Sequence, residues 1–375
     1  MQDVIVIGLG AAGAATLLAL ARAGIPALGI DRFNPPHDRG SSHGETRITR
    51  LAVGEGDVYA PLVRRSHILW RQLEAETGET LMLQSGGLIL GQATGPTLHH
   101  GKTDFVANTI RIAQTHAIAH EVLNAADIVA RFPQFRLRGD ERGYYEPEAG
   151  LLYPERCVAA QLARAQALGA KIIPNTEVLA LTPGHDSIAV TTQSQTHHAA
   201  RAILTAGAWT PELAPYAVAQ HLRVTRQALH WFAPSNDADF APGRFPIFIW
   251  MHGTGVDDFF YGFPAQNGAV KVATERNHST FDPNTPDRTV TPEESAAMHK
   301  THVASHLPGL TSTRIRAAAC LYTMTPDSNF LVHQPHPTLL TATACSGHGF
   351  KHSAAIGETL AAQILTKDFA LERFA

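Results

Sequence analysis

Residues 4–7, VIVI, form an unbroken β-branched run of the kind that fills a parallel strand buried on both faces. The run passes into GLGAAG at residues 8–13 and then into an Ala/Leu-rich stretch that reads as a helix up to Ala23. Gly24 stops that helix, and PALGID supplies a second strand ending at Asp31. The pattern predicts a βαβ unit in which each glycine has its own task. Gly8 makes the tight turn, Gly10 admits a pyrophosphate to the backbone, and Gly13 lets the helix pack close to the strand. The helix N-terminus offers its unpaired N–H groups to the diphosphate. Asp31, 23 residues beyond Gly8, suits a ribose hydroxyl, which fits FAD or NAD better than the 2′-phosphate of NADP. The motif leaves FAD and NAD open.

Beyond this unit the pattern stops repeating. RSHILWRQLEAE at 65–76 reads as an amphipathic helix, GGLILG at 86–91 as a short strand, and residues 109–120 as a helix. CVAAQLARAQALGA at 157–170 is helical, followed by strands in KIIPN, SIAVTT and RAILTAGAW. Residues 224–275 are strand-rich, with aromatics in HWFAP, FPIFIW and FFYGFP. A Pro/Asp/Thr-rich loop at 279–292, a helix over 292–307, and a closing strand, glycine turn and helix over 339–365 complete the chain. We see neither an internal repeat nor a low-complexity linker. The expected fold is α/β, an α+β two-domain protein: a Rossmann-like nucleotide-binding domain from 1–80, 146–218 and 316–375, and a strand-rich second domain with helices from 81–145 and 219–315. A pocket between them is the expected ligand site.

Composition narrows the class of function. With 30 Lys plus Arg against 33 Asp plus Glu, the net charge of −3 gives no electrostatic reason to expect nucleic acid or an anionic membrane. Cys157, Cys320 and Cys345 have no paired spacing, which argues against a disulfide framework or a zinc site and suits a reducing compartment. The opening MQDVIVIGLG has no basic region or cleavage site, and the closing LERFA matches no retention or peroxisomal signal, so a cytoplasmic protein is expected. Among 21 histidines, His116/His120 and His348/His352 have the i,i+4 spacing that can put two ligands on one helix face. Neither pair has an evident third ligand, and no metal is expected.

Four stretches could carry chemistry. In GSSHGETRITR, residues 40–50, Arg47 and Arg50 could clamp a carboxylate or phosphate, or be solvated surface arginines. FFYGFPAQNGAVKVATE, residues 259–275, reads as a hairpin joining Tyr261 and Lys271; the lysine is either paired inside an apolar strand or faces solvent on an edge. In CSGHGFKHS, residues 345–353, Gly347 and Gly349 flank His348, and Lys351 opens the final helix, so backbone N–H groups can meet an oxygen anion. In AAACLYTMTPD, residues 317–327, Cys320 by itself reads as a small buried hydrophobe.

Together GLGAAG, NPPHDRGSSHGETRITR, GEGDVYAPLVRRSHILW, YGFP, ACLYTMTPDSNFLV and SGHGFK, in this order across essentially the whole chain, resemble the monomeric sarcosine oxidase family. That family includes N-methyltryptophan and pipecolate oxidases, within the FAD-dependent amino-acid oxidases of the glycine-oxidase type. The resemblance implies FAD with its diphosphate on Gly8, Gly10 and Gly13, its ribose on Asp31, and an 8α-S-cysteinyl bond to Cys320. Flavin contacts are further implied for Ser41, Arg47, Gly347, Gly349 and Lys351. Arg50 and Lys351 match the pair that binds the substrate carboxylate, while Tyr261 and Tyr322 match aromatics lining the substrate cavity. Lys271 matches the lysine that reaches flavin N5 through water and activates oxygen, and His43, Arg47 and His348 match residues beside the isoalloxazine.

Departures from the family pattern fall at Ser42, at Leu51, Ala52 and Val53, at Glu275 where the family carries a histidine, and at His333. An acid at 275 facing the cavity would favour a substrate with a further cationic or hydrogen-bonding group. The function implied is oxidation of a secondary-amine amino acid, N-methylated or cyclic, with O₂ reduced to H₂O₂ by a monomer. The alternative is a FAD dehydrogenase that hands electrons to a carrier.

Overall fold

The computed structural model describes residues 2–93, 97, 99–275, 279–285 and 287–366; the closing LERFA lies outside them. Strand Gln2–Ile7 sits at the centre of a mostly parallel sheet, with Val4 opposite Ala27 on one side and Arg201 on the other. Its order is Val178–Pro183, Ile188–Thr192, Thr196–Leu204, Gln2–Ile7, Ala27–Ile30 and Lys171–Ile173. Leu339–Thr343 pairs parallel with Thr196–Leu204, and Leu331–His336 pairs antiparallel with Leu339–Thr343. Helix Ala11–Arg22 covers one face together with Pro154–Ala167 and Ser353–Thr366. The tight turn and close packing expected of the glycines are present. Gly8 has φ +85°, and a Cβ on Gly13 would lie 1.8 Å from the Gly8 carbonyl oxygen.

A second sheet is mostly antiparallel, in the order Leu310–Met324, Arg223–Pro234, Val270–Ala273, Phe259–Gly262, Ile247–Met251, Gly87–Gln92, Glu141–Glu146 and Glu121–Asn124. Phe232, Phe240, Phe245, Phe248, Trp250 and Phe260 fill the core against it. Arg47–Thr49, Gly150–Leu152 and Met82–Gln84 form a small, separately hydrogen-bonded sheet whose Ile48, Leu83 and Leu151 pack with Ile247 of the second sheet. Leu310–Met324 runs unbroken past residue 316 and pairs along Arg223–Pro234, with Gln227 opposite Cys320.

Two local readings need correction. The helix expected over 109–120 is Phe105–Thr115, ended where Ala117 takes φ 51°. His116 and His120 therefore share no helix face: His116 meets Asp57 at 3.6 Å, and the His120 ring stacks on Tyr144. The helix expected over 292–307 is α-helical only over Pro292–Met298, started by a Thr291–Glu294 capping box, and continues as a π-turn over His299–Val303.

Candidate functional site

A long cleft opens along the C-terminal edge of the parallel sheet, the usual ligand position in such sheets, and encloses about 1370 Å³ of atom-free space including its mouth. One end is the glycine turn after the first strand. The Asp31 carboxylate closes over that turn, accepting the Leu9 N–H at 2.7 Å and the Phe33 N–H at 2.8 Å. The first helical N–H, on Ala11, donates to Ser42 Oγ at 3.0 Å, so this departure from the family pattern caps the helix N-terminus. Ser41 Oγ donates to Leu321 O, which ties the 40–50 loop to the Cys320 strand. At the far end the walls are Tyr322, Cys345, Gly347 and Gly349.

A second cavity adjoins the first and shares Arg47, Tyr322, Gly347 and Phe350 with it. Its polar residues come from distant elements, so strand pairing and loop geometry assemble it. Tyr261 and Lys271 do lie on neighbouring strands of one hairpin. The edge-strand reading of Lys271 is overturned: its strand is flanked on both sides, and the side chain is buried. Nζ donates to Gly44 O and Thr46 O at 2.7 Å and to Thr46 Oγ1 at 3.1 Å. Three acceptors match the three N–H bonds of an ammonium, whereas burial and then the nearby Arg47 pull its pKa well down. The surface reading of Arg47 and Arg50 also falls. Arg47 donates to Ser41 O at 2.6 Å, to Thr46 O at 2.8 Å and to Cys320 Sγ at 3.3 Å.

Arg50 is 1% exposed, donates to Ala52 O, and meets Glu55 Oε2 at 2.9 Å and Oε1 at 3.2 Å. Lys351 Nζ donates to His348 O at 2.8 Å, and burial lowers its pKa to about 8. His348 Nε2 lies 2.9 Å from Ser328 O, its ring stacks on Phe330, and burial drives its pKa well below the usual imidazole value. The Tyr261 and Tyr322 hydroxyls meet at 3.4 Å across the cavity. Glu275 also lines it, with Oε2 at 2.8 Å from His100 Nε2.

Three expected site residues stand back from both cavities: Gly13, which packs its helix against the first strand, Cys320 and His43. Cys320 Sγ is buried behind the cleft wall, 3.3 Å from Arg47 Nη2 and 3.6 Å from Ser41 O, both on residues that line the cleft. Burial raises its pKa, while Arg47 pulls the other way. His43 is buried with Nε2 unpartnered, and burial, then Arg47, push its pKa down to about 4.

The model of the FAD dependent oxidoreductase family matches residues 3–363. The chain belongs to that family. It is 38% identical over 371 residues to the monomeric sarcosine oxidase of Streptomyces avermitilis, covering 97% of this chain and 94% of that protein. It is 33% identical to the N-methyl-L-tryptophan oxidase of Salmonella arizonae, over 99% of this chain and 95% of that one. Among solved structures, the open form of NikD, an amino acid oxidase essential for nikkomycin biosynthesis, superposes with a TM-score of 0.84 at 23% identity, covering 98% of this chain and 95% of that chain.

This FAD-dependent oxidoreductase has the donor set its cofactor needs: a glycine turn at a helix N-terminus, a carboxylate at the end of the second strand, and a cleft leading from them to the second cavity. Several residues of the site are silent in the sequence reading. Glu155 accepts the Gly44 and Glu45 N–H groups at 2.6 and 3.0 Å and fixes the 40–50 loop. Glu146 accepts the Leu51 and Ala52 N–H groups at 2.6 and 3.1 Å and fixes the backbone beyond Arg50. His99 and His100 line the second cavity, 175 residues before Glu275 in the chain or more. The GEGDVYAPLVRRSHILW stretch contains Glu55 without assigning it a role, and the LHHG stretch carries no signal linking it to position 275. Among the described residues, Glu55, His99 and His100 are the group whose donor atoms lie within 4.8 Å of one another. Glu55 is bound by Arg50, and both His100 nitrogens face carboxylates, so the group is a closed ion-pair network.

Proposed function

We propose that this oxidoreductase oxidises a secondary-amine amino acid, N-methylated or cyclic, and returns the electrons to O₂. The observation that carries the reading is the buried pair Arg50 and Lys351 in a cavity that shares Arg47, Tyr322, Gly347 and Phe350 with the FAD cleft. FAD bound in that cleft supplies, at N5, the acceptor for a hydride equivalent and passes two electrons on to O₂. Arg50 and Lys351 bind the substrate carboxylate and set its C–H bond toward the cleft. Tyr261 and Tyr322 flank the amine and exclude bulk water. The substrate carbon gives up hydrogen with its electron pair and the nitrogen gives up a proton; the imine formed is then split by water to an amine and a carbonyl compound. Lys271 and Arg47 would bring N–H donors toward the flavin edge where negative charge builds, and Lys271 is the group we assign to oxygen activation. Cys320, held by Arg47, is the assigned tether of the flavin. The sarcosine and N-methyl-L-tryptophan oxidases named among the relatives support this substrate class.

The test is anaerobic bleaching of the bound flavin by a panel of sarcosine, larger N-methyl amino acids, pipecolate and proline. Bleaching by at least one secondary amine is expected, with one H₂O₂ per turnover in air. Bleaching without H₂O₂ would assign the electrons to a carrier instead, and an unbleached flavin across the panel would remove the reading. For the tether, acid-precipitated protein should stay yellow, and Cys320→Ala should release its flavin into the supernatant.

A further inference from the structure

The second cavity contains a charged side chain that neither the fold nor the proposed chemistry requires. His100 sits in the turn 99–102, closed by His99 N–H to Lys102 O at 3.1 Å and Lys102 N–H to His99 O at 2.9 Å. Its two central residues both have positive φ, 48° at His100 and 70° at Gly101. Asn or Gly is the usual choice at the first of these positions, since a Cβ is strained there. A histidine in that place is held by what its ring touches. Nδ1 hydrogen-bonds with Glu55 Oε1 at 3.2 Å, and Nε2 lies 2.8 Å from Glu275 Oε2 as an ion-pair contact out of hydrogen-bond alignment, so the ring stands between two buried carboxylates.

The bridge changes what Glu275 can do. By itself, an acid at this position calls for a cation from the substrate; His100 supplies that cation from the protein. The charged side chains that line this cavity are Arg47, Arg50, Lys271, Lys351 and His100 against Glu55 and Glu275. With all seven ionised, three positive charges are left over: a single substrate carboxylate balances one, and the other two correspond to Arg47, which also lines the FAD cleft, and Lys271, the group assigned to oxygen activation.

We propose that His100 is the specificity-determining residue of this cavity, neutralising Glu275 so that the site takes amino acids with one carboxylate and an uncharged side chain and rejects those with a cationic one. The proposal rests on the reading of Arg50 and Lys351 as the carboxylate site. The environment agrees with a charged ring. Burial opposes protonation, but the Glu275 and Glu55 carboxylates outweigh it and lift the pKa of His100 to about 9.

The test uses the flavin-loaded enzyme and unreactive acids that differ only in a terminal ammonium: hexanoate against 6-aminohexanoate, and butanoate against 4-aminobutanoate. Dissociation constants are read from the shift of flavin absorbance. The wild type should bind the plain acid of each pair more tightly, by about tenfold or more. His100→Ala and His100→Gln should lower that ratio by about tenfold, because Glu275 is then free for the ammonium, and His100→Ala/Glu275→Gln should restore it. Glu275→Gln alone, which needs no change at the turn, should sharpen the discrimination against the ammonium. Wild-type preference for the amino acids of the pairs, an unchanged ratio in His100 variants that melt like wild type, or weaker discrimination in Glu275→Gln would each overturn the proposal. A flavin that no secondary amine bleaches would defeat the amine-oxidation reading, yet these binding ratios would still decide the role of His100.

Discussion

Lys351 and Lys271 show how burial turns an ordinary residue type into a tuned one. Lys351, with its pKa lowered to about 8, loses its charge within the working range of an enzyme, whereas a solvated lysine would keep it to above 10. The sign follows directly: below pH 8 the ammonium attracts a carboxylate, and above it the neutral amine does not. The dissociation constant of acetate, read by flavin absorbance, should therefore start to rise near pH 8, and Lys351→Met should bind more weakly below that pH, with the rise near pH 8 gone and only the later one near pH 9, from His100, left. Lys271 is held by Gly44 and Thr46 rather than by an acid, so its amino group is fixed in place while burial and Arg47 pull its pKa well down. Lys271→Met should leave anaerobic flavin reduction largely intact and slow reoxidation by O₂ by about 10²–10³-fold, the usual loss when one preorganised donor is removed. Equal slowing of both half-reactions in a stopped-flow experiment would reassign Lys271 to substrate handling.

At the scale of elements, the nucleotide end depends on a helix packed against its own strand with almost no room between them. A methyl group on Gly13 would collide with the Gly8 carbonyl oxygen and with Thr205 Oγ1, and backbone cannot swing away as a side chain can. Gly13→Ala should cost about 1–3 kcal/mol or more in stability and lose FAD at the same time, measured by denaturant unfolding and by flavin content. A variant that melts normally and still binds FAD would show the turn to be more yielding than its spacing indicates. The second element-level feature is the turn at 99–102, whose two positive φ values aim His100 inward. Periodicity does not mark such a turn, because its effect lies in the direction of one side chain and not in a repeated pattern.

Across the whole molecule, the FAD cleft is lined from within residues 7–12, 30–42, 176–178, 205–213 and 342–350 together with Arg47, Val158 and Tyr322, so the first sheet and its connections supply most of it and the second sheet adds Tyr322. Flavin should therefore act as a folding ligand. In Cys320→Ala, where exchange is possible, the melting temperature should climb with added FAD, with about 2.7 kcal/mol gained at a hundredfold excess over the dissociation constant; a melting temperature indifferent to FAD would mean the cleft forms no linked contacts. Sequence alone determined what depends on neighbours in the chain. The βαβ unit with its glycines, the Tyr261–Lys271 hairpin, and the motifs that identify a FAD oxidoreductase were legible because strand, turn and helix preferences act over a few residues. Only the tertiary structure decided the rest. That Lys271 lies inside a sheet, that Arg50 is already paired with Glu55, and that Glu275 is met by His100 follow from segments far apart in sequence. The physical reason is that the charge of a buried group is set by whichever partners the fold brings within hydrogen-bonding reach, and those partners carry no mark of one another in the chain.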